Sequence, residues 1–152
     1  MKDIIVCDLD GTLCNIDHRT HFVQVAQGER KDWDSFFNGV PNDTVNEPVL
    51  EVLDRFRFAL DEFEFEIVFC SGRPERCRAD TEAWLKQHGF NHYALWMRED
   101  GDFRRDDIVK QEILDKYLEK DRVLFVLDDR DQVVDMWRRN GLTCFQVAEG
   151  DF

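Results

Sequence analysis

The 152-residue chain predicts an α/β fold in which a mostly parallel sheet carries helices on both faces. Two observations lead there. Short apolar, β-rich runs alternate with stretches of helical spacing, so successive strands need crossover connections. Three of those runs also stop abruptly at polar turns, and in parallel sheets ligands bind beyond the carboxyl ends of the strands.

The first run, Ile4-Ile5-Val6-Cys7, empties into Asp8-Leu9-Asp10-Gly11-Thr12. Two carboxylates one residue apart can divide labour, one attacking and the other trading protons, while Gly11 lets the backbone fold closely around an ion or anion. Asp-x-Asp-Gly is equally the signature of an ordinary turn or of a calcium-loop fragment. An EF-hand needs further acidic ligands, a closing Glu and flanking helices; here a strand comes first.

Residues 14–47 are polar, aromatic-containing and irregular in period, which predicts a small insertion over the site. His18 to Gln27 and Trp33 to Phe37 are expected to form short helices, and Gly39, Pro41, Asn42 and Asp43 mark a turn. His18, Arg19 and His21 are expected to face solvent or the substrate mouth.

From Pro48, the spacing of Val49, Leu50, Leu53, Phe56 and Leu60 predicts a helix. Phe65 to Cys70 is the second strand, ending at Ser71-Gly72-Arg73-Pro74, after which a helix runs to about Gln87 and closes at Gly89. A hydroxyl and free backbone N–H groups at such a junction suit an anion, although Ser71 alone is equally a simple helix cap. Tyr93 to Met97 is the third strand, followed by a charged turn around Gly101 and a helix carrying Ile108, Val109, Ile113, Leu114 and Leu118, with Asp106 or Asp107 at its start. Lys110 lies in the first turn of that helix, where a cation opposes the dipole; pairing with Asp107 or a phosphate held before it would each account for it. Arg122 to Leu127 is the fourth strand and stops at Asp128-Asp129-Arg130. A helix from Asp131 to Asn140 and a fifth strand from Thr143 to Val147 complete the chain.

Composition sets the outer limits. At 43% hydrophobic residues, residues 1–152 form one domain able to bury a core. Twenty basic against 33 acidic residues leave a charge of −13, a field that repels polyanions, so stable duplex binding is not expected; a local basic pocket can still take a phosphate terminus or nucleotide. The cysteines at 7, 14, 70, 77 and 144 lack zinc spacing and read as small buried thiols in a reducing cytoplasm. No stretch is apolar and long enough for a membrane span, and the charged start Met1-Lys2-Asp3 lacks a signal peptide's apolar region.

Asp8, Ser71 and Asp128 therefore converge on one crevice. Several carboxylates in one pocket would repel one another unless a cation held them, and an all-oxygen donor set favours Mg²⁺. In this reading Asp8 attacks phosphorus, Mg²⁺ and Lys110 neutralise the equatorial oxygens, and Ser71 orients them. Asp10 protonates the leaving alkoxide and later activates the hydrolytic water.

DLDGTL at 8–13, SGR at 71–73, Lys110 ahead of a helix and the DD pair at 128–129 resemble the four signatures of the haloacid dehalogenase (HAD) superfamily. GDFRRDDIVKQEI at 101–113, LDDRDQVVDMWRRNGLTCFQVAEGDF at 127–152 and Arg19 just beyond the first motif more specifically resemble the phosphatase domains of phage polynucleotide kinase/3′-phosphatases and their stand-alone relatives. The resemblance implies a Rossmannoid three-layer sandwich with core strands in the order 5-4-1-2-3 and a small cap after the first. It also implies Asp8 as nucleophile, Asp10 as acid/base, and Mg²⁺ on Asp8, the Asp10 carbonyl and Asp128, with Asp129 an outer or water-bridged ligand. Ser71 and Lys110 would hold the transferring phosphate, and Arg19 and Arg73 the rest of the substrate. Thr12, Gly72 and Arg130 flank these positions and complete the expected binding set. The bifunctional relatives carry a GxxxxGK[ST] loop, whereas none of the eight glycines here precedes a lysine, so kinase activity is not expected. The expected activity is removal of 3′-phosphates from nucleic-acid ends, in a bacterial host's cytoplasm if phage-encoded. A mononucleotide phosphatase and an inactive HAD-fold binding module are the alternatives.

Overall fold

A computed structural model describes residues 1–59 and 64–152. Its centre is the first apolar run, β1 (Ile4–Cys7), every residue of which is buried. Alternation along β1 sends Ile5 and Cys7 to one face of the sheet and Ile4 and Val6 to the other, and each pair seeds its own apolar core. The chain then makes a two-residue strand β2 (Cys14–Asn15), a short helix α1 (Asp17–Thr20), α2 (Trp33–Asn38) and β3 (Thr44–Val45), which pairs antiparallel with β2. This small cap has one well-defined start: the Asp32 carboxylate accepts from Ser35 N at 3.0 Å and caps α2.

The remaining elements are α3 (Glu47–Arg57), β4 (Glu66–Pro74), α4 (Arg78–Gln87), β5 (Ala94–Arg98), α5 (Asp106–Tyr117), β6 (Val123–Asp128), α6 (Asp131–Arg139) and β7 (Cys144–Gln146). The five main strands lie in the order β5-β4-β1-β6-β7 with every pair parallel. Counting core strands alone, this is the expected 5-4-1-2-3. Leu53 of α3 with Trp84 and Leu85 of α4 cover one face; Val109, Ile113 and Leu114 of α5 with Val133, Val134, Met136 and Trp137 of α6 cover the other. β1, at the middle of the sheet, therefore delivers Asp8 and Asp10 to the centre of its carboxyl edge.

Three local expectations are corrected. The helix expected over 18–27 stops at Thr20, because the N–H groups of Val23 and Gln24 both turn back onto the Thr20 carbonyl and the chain reverses. The second core strand does not end at Cys70 but continues to Pro74, with a register slip against β5 between Cys70 and Pro74. Arg98 Nε donates to the Gly72 carbonyl at 2.9 Å, a side-chain bond that stitches the slipped segment to its neighbour. The following helix begins later, at Arg78, after a 3₁₀ turn over Glu75–Cys77. Leu60 lies outside the described residues. All five cysteines are buried free thiols, and burial pushes Cys70 up to about 12, so none is poised as a nucleophile.

Candidate active site

The carboxyl edges of β1 and β6 set the geometry. Oxygens of Asp8, Asp128 and Asp129 lie within 4.8 Å of one another, and all three residues are buried. Lys110, projecting from α5, is buried with them; its Nζ donates to Asp8 Oδ1 at 2.7 Å and to Asp128 Oδ2 at 2.9 Å. The pairing with Asp107 that the sequence also allows is not made. Thr12 Oγ1 donates to the other Asp8 oxygen, Oδ2, at 3.0 Å, so both oxygens of that carboxylate are oriented. Asp128 is held equally firmly: Trp137 Nε1 reaches its Oδ2 at 3.1 Å, and the Asp129 backbone N–H reaches its Oδ1 at 2.9 Å.

One ammonium among three buried carboxylates leaves the cluster short of positive charge. Burial, with Asp128 and Asp129 adding repulsion, pushes the Asp8 carboxyl well above the usual carboxylate range despite Lys110; burial and Asp128 push Asp129 up to about 7. Burial alone would depress the Lys110 ammonium, but Asp128 and Asp8 outweigh it and hold the lysine charged well above its ordinary range. A hard divalent cation fits this all-oxygen, charge-deficient donor set, and Asp8, Asp128 and Asp129 are the side chains that would hold Mg²⁺. Gly11 permits the close packing: its φ is +80°, and a Cβ there would stand 2.2 Å from Asp129 Oδ2.

A carboxyl raised to about 7 keeps its proton in the folded chain while the unfolded chain, near 3.9, has lost it, so the contribution of Asp129 to stability falls as pH rises between those values. Mg²⁺ would bind the ionised form. Its stabilisation of the folded chain, read from the melting temperature, should therefore be larger at pH 7.5 than at pH 5, approaching about 2.7 kcal/mol at a hundredfold excess over Kd. Asp129→Asn should shrink that difference, and a Mg²⁺ effect independent of pH would contradict it.

Asp10 belongs to a second cluster. Its Oδ1 accepts from Arg19 Nη2 at 2.7 Å and from Arg73 Nε at 2.9 Å, with Arg73 Nη2 also in contact. Burial opposes its ionisation, but Arg73 and Arg19 prevail and hold its carboxyl below the usual range. Arg19 does not face solvent or the substrate mouth as expected: it is fully buried, and so is Arg73. Both guanidinium groups pair with Asp10 and Asp43 rather than standing open at the surface. His18 and His21 are exposed as expected.

Ser71 is buried, and its hydroxyl accepts from Arg73 N at 3.2 Å; no hydrogen bond joins it to Asp8 or Lys110. Gly72 has Asp106 against it, where a Cβ would meet Asp106 Oδ1 at 2.2 Å. The Arg130 side chain donates through Nε to the Phe152 carbonyl at 2.8 Å and through Nη1 to Asp106 Oδ2 at 3.3 Å, while its backbone N–H donates to Asp128 Oδ1 at 3.4 Å. Three residues of this architecture escaped the sequence reading. Trp137 and Asp106 stand inside strings that resemble the family, but as ordinary apolar and helix-start positions. Asp43 read only as part of a turn.

The sheet order and the motifs at its strand ends define the fold of the HAD superfamily. Within it the chain belongs to the polynucleotide kinase PNKP phosphatase domain family, whose model matches residues 2–152. Among individual proteins, it is 30% identical over 136 residues to a "Putative bifunctional polynucleotide kinase/RNA ligase" of Autographa californica nuclear polyhedrosis virus, covering 88% of this chain and 17% of that protein. It also matches a solved structure of the Pnkp1/Rnl/Hen1 RNA repair complex with a TM-score of 0.80 at 35% identity, over 98% of this chain and 43% of the other. A second Pnkp1/Rnl/Hen1 complex gives 0.77 at 34%, over 99% and 48%. The chain thus spans less than half the length of these relatives. Among the described residues, no helix is long and apolar enough to cross a membrane.

Proposed function

We propose that these residues form a Mg²⁺-dependent phosphomonoesterase that works through an aspartyl-phosphate and removes 3′-phosphates from nucleic-acid ends. The observation that carries the reading is Lys110 Nζ bridging Asp8 and Asp128 beside Asp129, because one buried cation among three carboxylates suits the charge of a phosphoryl group and its metal. Membership of the phosphatase-domain family and likeness to RNA repair complexes support the substrate class. No kinase step is assigned to these 152 residues, in which no glycine precedes a lysine.

An Asp8 oxygen, oriented by Lys110 and Thr12, attacks phosphorus and becomes the acyl-phosphate oxygen as the ester P–O bond breaks. Asp10, held ionised by Arg19 and Arg73 in the resting site, takes up the proton that the ester brings in on its phosphate and passes it to the departing alkoxide. It then takes a proton from the water that attacks the phosphorus of the aspartyl-phosphate, releasing inorganic phosphate and restoring Asp8. When bound, Mg²⁺ supplies positive charge against the phosphoryl oxygens. Lys110 follows those oxygens through both steps, and Ser71, next to the site on β4, offers its hydroxyl to one of them.

The charge of −13 favours one further reading, a phosphatase for free mononucleotides. A parallel assay decides: protein with Mg²⁺ on a 3′-phosphorylated oligonucleotide, its 5′-phosphorylated twin, and free 3′- and 5′-mononucleotides. The end-processing reading predicts fastest release from the 3′-phosphorylated oligonucleotide. Faster release from mononucleotides supports the alternative, and silence on all four removes both. Calcium, larger and less strict in geometry, should inhibit in competition with Mg²⁺; activation by calcium alone would argue against an octahedral magnesium site.

A further inference from the structure

Arg19 and Arg73 present an imbalance that Asp10 cannot resolve by itself. Two guanidinium groups with fully buried side chains need anions, and Asp10 supplies one carboxylate for both. The second is Asp43, just ahead of β3, whose side chain is also 0% exposed. Asp43 Oδ1 accepts from Arg19 Nε at 2.7 Å and meets His18 Nε2 at 2.8 Å. Its Oδ2 accepts from Arg19 Nη2 at 2.7 Å and Arg73 Nη2 at 2.9 Å.

The surroundings fix this residue in place. Trp84 Nε1, from the core helix α4, donates to the Asp43 carbonyl at 2.7 Å, and Thr81 of the same helix takes Arg73 Nη1 at 3.1 Å. Arg19 lies over the Phe36 ring at 4.3 Å and donates to the Phe36 carbonyl. Two arginines and two aspartates thus form a closed, charge-balanced square. Its two acids differ in exposure: the Asp10 side chain is 23% exposed, that of Asp43 not at all. All three guanidinium contacts on Asp10 fall on Oδ1, and Oδ2 takes no hydrogen bond from the described residues.

We infer that Asp43 is a positioning residue: it anchors Arg19 and Arg73 from behind, so that both grip Asp10 by Oδ1 and leave Oδ2 to exchange the proton. The inference rests on the phosphatase reading and deepens it. Without the Asp43 carboxylate the two forks lose their fixed anchor and are free to close on both Asp10 oxygens, since bidentate pairing is the preferred geometry of guanidinium with carboxylate. Oδ2 would then be blocked. Among the described residues the Asp43 carboxylate bonds only Arg19, Arg73 and His18 and none of Asp8, Asp128, Asp129 or Lys110, so its removal should leave attack by Asp8 largely intact.

The test compares leaving groups in Asp43→Asn. kcat/KM reports phosphoryl transfer to Asp8; an alkoxide must be protonated as it leaves, whereas p-nitrophenolate leaves without help. For the nucleotide substrate that the wild-type chain turns over fastest, kcat/KM should fall about 100-fold, and for p-nitrophenyl phosphate less than about 5-fold. Adding Asp43→Asn to Asp10→Asn should cost little more, because both changes act on one proton transfer. Equal losses on the two substrates, full additivity or no loss would overturn the inference while leaving the phosphatase reading in place; a wild-type chain silent on every phosphate ester removes both. If Asp43→Asn does not fold, Asp43→Glu keeps the charge but moves the carboxylate by one methylene. It should show the same unequal loss in smaller measure, and equal losses there would again overturn the inference.

Discussion

Asp8→Asn is expected to abolish turnover, by about 10⁴-fold or more, while leaving the chain folded at least as stably as before. The loss follows from chemistry: an amide is neutral, cannot attack phosphorus and cannot carry an acyl-phosphate. The retained stability follows from the electrostatics, since burial and the repulsion of Asp128 and Asp129 make ionised Asp8 costly, and a neutral side chain of the same shape removes that cost. Lys110 keeps its second partner, Asp128, 2.9 Å away, and is not stranded. The variant should also bind Mg²⁺ more weakly, because one of three clustered carboxylates is gone. Circular dichroism, thermal melting and phosphate release check these points together. Substantial turnover in a folded Asp8→Asn protein would rule out a covalent route through that side chain.

Asp10→Asn should fail differently. Protonation of a nucleotide alkoxide is lost, so kcat/KM for a nucleotide should drop by about 10²- to 10⁴-fold, the range of general acid catalysis. With p-nitrophenyl phosphate the first step is nearly spared and the second, which needs Asp10 as base, is slowed. The enzyme should then release a burst of p-nitrophenol close to its own molar amount and accumulate a phosphoryl adduct. Equal losses in kcat/KM on both substrates, with no burst, would count against Asp10 as the acid. The geometry supports separate roles for the two aspartates: Asp8 faces Lys110 and Thr12, Asp10 faces Arg19 and Arg73.

The sheet was legible because its strands are dense apolar runs. Ile4 to Cys7 is buried on both faces and could be little else, and the polar residues after it announce where that strand ends. Asp8, Asp128 and Lys110 were legible as a group for a second reason: the parallel topology forces separate strand ends to one edge. What the sequence hid lies in contacts between distant side chains. Nothing around Arg19 shows that it will be buried, because its counter-ion Asp43 comes 24 residues later in an unremarkable turn. The length of β4 was concealed similarly, since a bond from Arg98 holds the Gly72 carbonyl in the extended segment. The short α1 shows the limit of spacing as a guide where a segment is polar and too short for periodicity to decide.

The central claim is that phosphorus passes through a covalent bond to Asp8, and it can be tested on the enzyme during turnover. Protein consuming a phosphate ester with Mg²⁺ is quenched in acid and treated with borohydride, which reduces an acyl-phosphate but not a free carboxylate, and residue 8 is then read by peptide mass spectrometry. The account predicts homoserine at that position in a substantial fraction of molecules. Asp8 recovered unmodified from enzyme stopped mid-turnover, with reduction found at another carboxylate, would contradict it.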